Sequence, residues 1–195
     1  MEKFLYHAIR FKNMDTLYKI VESGFILPRC MIKGSESFDR NNIFNGTRYI
    51  SLTDKTRSEG IESSVFKSSY DDWIVGSLCI VIQNLEKVIT PTLLDWDNMG
   101  PEDVRPLLFK DGPTRYSYFI DEVQTDKRIP TSYFVAIGYP NYHFKYDLGV
   151  EGNDRQLQRL KEFLLSHGID IPIVDSNAYD FADDREKIKI YTLVK

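Results

Sequence analysis

The sequence feature that most constrains the fold is the short segment 77–83, in which residues 78–82 form a continuously apolar run. A run of this length that does not alternate with polar residues is typical of a central β-strand covered on both faces. The 195 residues are enough to bury the core of one sizeable domain. We therefore predict a single domain over residues 1–195 in which this segment is a central strand.

The patterns on either side of the run predict an α+β fold. Asn13 is placed to cap a helix that ends at about residue 23, before Gly24, and the strongest helix pattern covers residues 153–167. The best strand patterns cover residues 4–11, 48–54, 118–124, 133–139 and 187–194, with shorter extended pieces at 92–94 and 171–174. A short helix is also indicated at residues 101–107. We expect mostly antiparallel strands with two to three helices.

The composition limits the range of partners. The net charge is −4 and the pI is near 5.4, which argues against strong non-specific binding to nucleic acid or to a membrane. Cys30 and Cys79 lack metal-type spacing and are expected to be reduced thiols. No secretion-type leader and no membrane-spanning apolar run is evident, so we expect a cytoplasmic protein, in its own cell or in a host cell.

Several common catalytic motifs are missing from the sequence. There is no phosphate-binding P-loop, no glycine-rich dinucleotide fingerprint, no nucleophile elbow and no paired-histidine zinc helix. The three histidines, His7, His143 and His167, have no carboxylate at metal-ligand spacing. The sequence therefore predicts no metal site.

What remains is an ordered set of polar residues on three predicted strands. His7 lies on the first strand, Tyr49, Ser51 and Thr53 share one face of the second, and Glu122 lies on a later strand. Each has an ordinary explanation as well. A lone histidine is often a hydrogen-bonded core residue, hydroxyls are common on solvated strand faces, and a strand carboxylate is often a rim residue.

This order resembles the ADP-ribosyltransferase superfamily, whose core draws one residue from each of three strands. The similarity covers roughly the first three quarters of the chain at a few short points. It is carried by residues 5–8, 24–27, 49–53 and 121–123, with Ile129-Pro130 and Ile137 after them. The resemblance implies a split, mostly antiparallel sheet and NAD as the substrate.

The resemblance also implies roles for the individual residues. Glu122 would stabilise the oxocarbenium-like state that forms as the nicotinamide–ribose bond breaks. His7 would hydrogen-bond the other ribose, Ser51 or Thr53 would orient the nicotinamide side, and Tyr49 would stack on a ring. In branches that modify protein arginine, a Glu or Gln precedes the catalytic Glu by two places, and here that position is Ile120. Arginine is therefore a less expected acceptor, and the acceptor, protein or nucleic acid, stays open.

Two other functions fit the same residues. The polar segments 29–46 and 55–72 suit a non-catalytic module of phage or defence origin that sequesters a nucleotide or binds a protein. A module of this kind would belong to a toxin or defence system. An RNA-processing enzyme similar to the 2′-phosphotransferases is the third reading, although no basic surface is evident. Lys127 and Arg128, with Lys110 and Arg115 before them, suit either a solvated rim or an anion-binding element.

Overall fold

The computed structural model describes residues 4–9, 12–28, 31–32, 50–53, 77–83, 91–94, 114–117, 122–125, 127–178 and 185–194. Within these ranges the first half of the chain contributes β1 (Phe4–Ile9), α1 (Met14–Ser23), β2 (Phe25–Ile26), β3 (Ile50–Thr53), β4 (Leu78–Gln83) and β5 (Pro91–Leu94). The second half contributes β6 (Thr114–Ser117), β7 (Glu122–Thr125), β8 (Ile129–Pro130), a 3₁₀ turn (Thr131–Tyr133), β9 (Phe134–Tyr139), α2 (Asn141–Ser166), β10 (Ile173–Asp175), α3 (Arg185–Ile190) and β11 (Thr192–Val194).

Nine of these strands form one sheet in the order β11-β10-β9-β4-β1-β3-β7-β6-β5, and β2 pairs with β8 in a separate two-stranded ribbon. Neighbouring strands are antiparallel except for β9 with β10 and β5 with β6. The predicted α+β fold with a mostly antiparallel sheet and up to three helices is therefore confirmed. The split sheet that the family resemblance implies is not confirmed, since the nine strands hydrogen-bond in one continuous order.

The apolar run forms the central strand that its composition predicts. β4 lies between β1 and β9, and its residues from Leu78 to Ile82 are fully buried. Alternate side chains enter two different cores, as strand geometry requires. Leu78, Ile80 and Ile82 join the first core, which α1 and α2 cover, whereas Cys79 and Val81 join the second core, to which Ile188 of α3 contributes.

The first helix begins and ends at the predicted residues. The Asn13 side chain accepts a hydrogen bond from the Thr16 backbone N–H at 3.1 Å, which satisfies a donor of the first turn. Gly24 ends the helix with φ of 74°, a left-handed conformation that favours glycine. Leu17 and Val21 are buried in the first core and Ile20 packs against it.

The second helix is longer than predicted because its first part has no apolar stripe for a sequence pattern to reveal. α2 begins at Asn141 and is interrupted at Gly149, where φ is 72° and ψ is 170°. Before the interruption only Phe144 is buried. The predicted stripe follows in the second part, where Leu157, Leu160 and Leu164 are buried and Phe163 packs against them.

The last predicted strand is partly wrong. Residues 187–194 were expected to be extended, but α3 extends to Ile190 and only Thr192–Val194 form a strand. The apparent alternation of Ile188 and Ile190 is misleading, since Ile188 is buried and Ile190 is largely exposed. A hydrogen bond of 2.6 Å from the Thr192 hydroxyl to the Ile188 carbonyl closes this helix end.

Other predicted elements are only partly covered. β7 begins at Glu122, so residues 118–121 of the predicted strand lie outside the described residues, as does the predicted helix at 101–107. Among the helices that the structure describes, none combines the length and the apolar character needed to cross a bilayer.

Candidate functional site

The three strands that carry the predicted site residues are neighbours in the sheet. β1, β3 and β7 follow one another in the strand order, although long segments of chain separate them in sequence. Thr53 is paired with Tyr6 on one side and with Glu122 on the other, and Ser51 is paired with Gln124. The positions of Ser51, Thr53 and Glu122 therefore lie next to one another across two adjacent strands.

The register also decides which face of the sheet each position occupies. Residues directly opposed in an antiparallel pair lie on the same face. Positions 53 and 122 consequently lie on the face of Tyr6, which belongs to the second core, and position 51 follows by alternation. His7 lies on the other face, opposed to Ile80 and between Leu5 and Ile9 of the first core.

Of the five predicted site residues, the structure brings the positions of Ser51, Thr53 and Glu122 together and places His7 on the other face of the sheet. His7 is half-buried on the side of the sheet that α1 and α2 cover. Sequence reasoning missed this because the register of β1 against β3, with Tyr6 opposite Thr53, is set by hydrogen bonds between the strands. A shift of this register by one residue would place His7 on the face of Thr53. Tyr49 lies outside the described residues.

Two short motifs that the sequence marks separately form one unit. Phe25 pairs with Pro130 and Ile26 pairs with Ile129, so that β2 and β8 make the two-stranded ribbon. The Thr131 N–H extends it by donating to the Gly24 carbonyl at 3.0 Å. Because Ile26 and Ile129 are both fully buried, the ribbon is anchored in the first core.

A hydrogen bond connects the end of the strand that begins at Glu122 with the residues just before this ribbon. Thr125, the last residue of β7, is fully buried, and its hydroxyl accepts a hydrogen bond from the Lys127 N–H at 3.2 Å. The guanidinium of Arg128 then lies 4.6 Å from the centre of the Phe25 ring, a cation–π contact. Lys127 and Arg128 are exposed, so two cations lie close to the end of β7.

Three polar side chains that no sequence pattern revealed form a hydrogen-bonded network at the first core. The Tyr139 hydroxyl donates to Asn153 Oδ1 at 3.0 Å, and Asn153 Nδ2 donates to Asn141 Oδ1 at 2.9 Å. Burial raises the pKa of Tyr139 well above its ordinary value of 10.0. These residues therefore act as neutral hydrogen-bonding groups at physiological pH, and their geometry is that of a structural network.

Metal chemistry finds no support in the part of the chain that the structure describes. No three His, Cys, Asp or Glu residues are grouped there in a way that would hold an ion. Cys79 is fully buried, and burial raises the pKa of its thiol from 9.0 to about 12, which leaves it protonated and unreactive.

Comparison with known proteins assigns no family to the chain. No protein-family model matches it, and no curated protein matches it significantly.

Proposed function

We propose that the protein is an NAD-binding ADP-ribosyltransferase-like enzyme that transfers ADP-ribose to an acceptor or hydrolyses the nicotinamide–ribose bond. The observation that carries the proposal is the direct pairing of Thr53 with Glu122 on adjacent strands. This pairing sets a carboxylate position beside a hydroxyl position. Ser51, two residues before Thr53 on the same face of β3, adds a second hydroxyl position.

The proposed reaction needs a carboxylate and hydrogen-bonding hydroxyls but no metal. The bond between ribose C1′ and the nicotinamide nitrogen breaks, and its electron pair leaves with nicotinamide. Positive charge then develops on the ribose, where the Glu122 carboxylate stabilises it. Water or an acceptor nucleophile forms the new bond to C1′ and loses a proton. Ser51 and Thr53 would hydrogen-bond the ribose or the carboxamide of nicotinamide.

The register bears on some of the proposed residue roles and not on others. Glu122, Ser51 and Thr53 are supported by adjacency in the sheet, whereas the roles of His7 and Tyr49 come from the family resemblance alone. The register places His7 and Glu122 on opposite faces of the sheet, so the two side chains do not share one ribose, and the role of His7 toward the other ribose needs its own test.

Release of nicotinamide from NAD tests the proposal directly. The expected result is measurable release by the natural protein and a loss of about a hundredfold or more in Glu122→Gln, as for removal of a group that acts mainly in the transition state. Glu186→Gln is the matched control, because it removes an exposed carboxylate on α3 and should leave the rate unchanged. Absence of release, or equal rates in both variants, would contradict the proposal.

A His7→Ala variant decides the role of His7 within the same assay. A strong rise in KM for NAD would assign it to the ribose, whereas unchanged kinetics would assign it to the core. Calorimetry with NAD and ADP-ribose is the companion measurement. Tight binding without nicotinamide release would favour the non-catalytic nucleotide-binding module instead.

A further inference from the structure

One face of the sheet changes from apolar to polar between β1 and β3. On β1 this face carries Phe4 and Tyr6, which are buried in the second core. On β3 the same face carries Ser51 and Thr53, because Thr53 is opposed to Tyr6 and successive residues of a strand alternate between the faces. The apolar lining of the second core is therefore followed by polar positions at β3.

The next two strands, β7 and β6, continue these polar positions. Directly opposed residues of antiparallel strands lie on the same face, so the register arranges the positions in two rows. At β5 the position beside the second row is Leu94, which bounds the polar face. The first row consists of Ser51, Gln124 and Arg115, and the second row consists of Thr53, Glu122 and Ser117.

The opposite face of these strands belongs to the first core. Ile50 and Leu52 of β3 are buried there, and Thr125 of β7, which is opposed to Ile50, is fully buried. Antiparallel strands that pack a core on one side only show this alternation of buried and polar residues. The residues of the two rows are consequently not part of the first core, and their residue types decide what the polar face can bind.

The two rows contain one anion and one cation. Glu122 is the carboxylate that the proposed reaction places at the ribose, and Arg115 is its diagonal neighbour in the other row. Diagonal neighbours on paired strands are about 7–8 Å apart, within reach of a long side chain. In NAD the diphosphate is attached to C5′ of the ribose whose C1′ carries nicotinamide. A guanidinium matches such an anion because it can donate two parallel hydrogen bonds to phosphate oxygens.

We propose that Arg115 binds the diphosphate of NAD while Glu122 stabilises the positive charge on the ribose. This inference rests on the proposed function, since it takes the place of the ribose from Glu122. It adds a cation on β6 to the site and names the substrate class as a nucleotide with a phosphate at C5′ of the reacting ribose. Nicotinamide riboside, which lacks that phosphate, is consequently a poor substrate.

Calorimetry with ADP-ribose tests the diphosphate contact without requiring turnover. Arg115→Gln is expected to weaken binding by about tenfold or more, as for the loss of hydrogen bonds to a charged group. Arg115→Lys keeps the charge but not the paired donors, so its loss should be smaller. Arg155→Gln is the matched control, because Arg155 is an exposed arginine on α2 whose contact with Glu151 is a loose pair at 3.7 Å. Failure of the natural protein to bind ADP-ribose, or equal affinities of Arg115→Gln and Arg155→Gln, overturns the proposal.

Kinetics separates this proposal from the proposed function. Arg115→Gln should raise KM for NAD by about tenfold or more and KM for nicotinamide riboside much less, since only NAD carries the diphosphate. Absence of nicotinamide release together with Arg115-dependent binding of ADP-ribose would overturn the enzymatic assignment alone. Release that depends on Glu122, with a KM for NAD that Arg115→Gln does not change, would overturn the diphosphate contact alone.

Discussion

The hydroxyl of Tyr139 donates a hydrogen bond to Asn153 across the first core, and both side chains are fully buried. Tyr139 is the last residue of β9, and Asn153 lies on α2 beyond the interruption at Gly149. Because Asn153 also donates to Asn141 at the start of α2, one amide connects the sheet with both parts of the helix. This amide fixes how the interrupted helix lies on the sheet.

Replacement of Tyr139 by Phe should reduce the free energy of unfolding by about 1–2 kcal/mol, because it leaves Asn153 Oδ1 buried without its donor. Asn153→Ala should cost more, about 2–3 kcal/mol, since it removes two hydrogen bonds and leaves both partners unsatisfied. Urea unfolding measures both. Tyr142→Phe, at an exposed position, is the control and should change stability by less than about 0.5 kcal/mol. Equal effects at Tyr139 and Tyr142 would show that the buried hydrogen bond contributes nothing.

Alkaline pH should destabilise the fold through Cys79. Burial raises the pKa of its thiol from 9.0 to about 12, so the unfolded state loses the proton first as the pH rises. The stabilisation is fully present below pH 9 and is lost between pH 9 and 12, at up to about 1.4 kcal/mol per pH unit. The buried hydroxyl of Tyr139, whose pKa burial raises above 10.0, adds a loss of the same sign at higher pH.

Unfolding measured at several pH values with Cys79→Ala provides the comparison for this effect. The variant is less stable at neutral pH because it leaves a small cavity, but its stability should fall less steeply above pH 9. The natural thiol should also be inert to a thiol reagent until the protein unfolds. Parallel curves for the two proteins would disprove a link between Cys79 and the alkaline loss.

Gly24→Ala should reduce the free energy of unfolding by about 1 kcal/mol, because a side chain with φ of 74° is strained although nothing lies within 4 Å of the added Cβ. Gly24→Asn should cost less, since asparagine tolerates the left-handed conformation better. Thermal unfolding of the two variants tests the cause. A larger loss with Asn than with Ala would indicate crowding by the side chain and not backbone strain.

The ion pair between Lys161 and Asp170 should stabilise the fold because one of its partners, Lys161, is buried. Lys161 is buried, and its Nζ lies 2.7 Å from Asp170 Oδ1, while the Asp170 side chain is largely exposed. Asp170→Asn should cost about 1–2 kcal/mol by weakening the partner of a buried cation, and Lys161→Met should cost less because it removes that cation. Glu186→Gln, which breaks the exposed pair with Lys189, should change stability by less than about 0.5 kcal/mol in the same denaturant titration. A larger loss with Lys161→Met than with Asp170→Asn would contradict this account.

Local sequence patterns predicted the elements whose side chains repeat regularly. The unbroken run of β4 and the capped helix α1 carry their structure in neighbouring residues, so both were predicted to within a residue or two. The start of α2 was missed because its residues show no apolar stripe and contacts to other elements hold it: Phe144 packs on Tyr139 of β9, and the Tyr142 N–H donates to the distant Asn177 Oδ1 at 2.9 Å.

The candidate site shows the same division between local and long-range information. Hydroxyl and carboxylate positions were found from residue type and strand alternation, and their strands are adjacent in the sheet. Which of them share a face depends on the pairing of Tyr6 with Thr53, residues that are far apart in the chain. A pattern within one strand carries no information about its offset from another strand, and for this reason the separation of His7 could not be predicted.

The central place of β1 has a consequence for synthesis on the ribosome. Both strands that flank it, β3 and β4, are translated after it, and the sheet between β4 and β10 requires residues up to Asp175. Until these segments have emerged, the apolar side chains of Phe4, Leu5 and Ile9 have no sheet to enter, although all three are buried in the finished fold. During synthesis this apolar strand therefore stays without its partners until β3 and β4 have emerged, and an unpaired apolar strand of this kind is prone to aggregation.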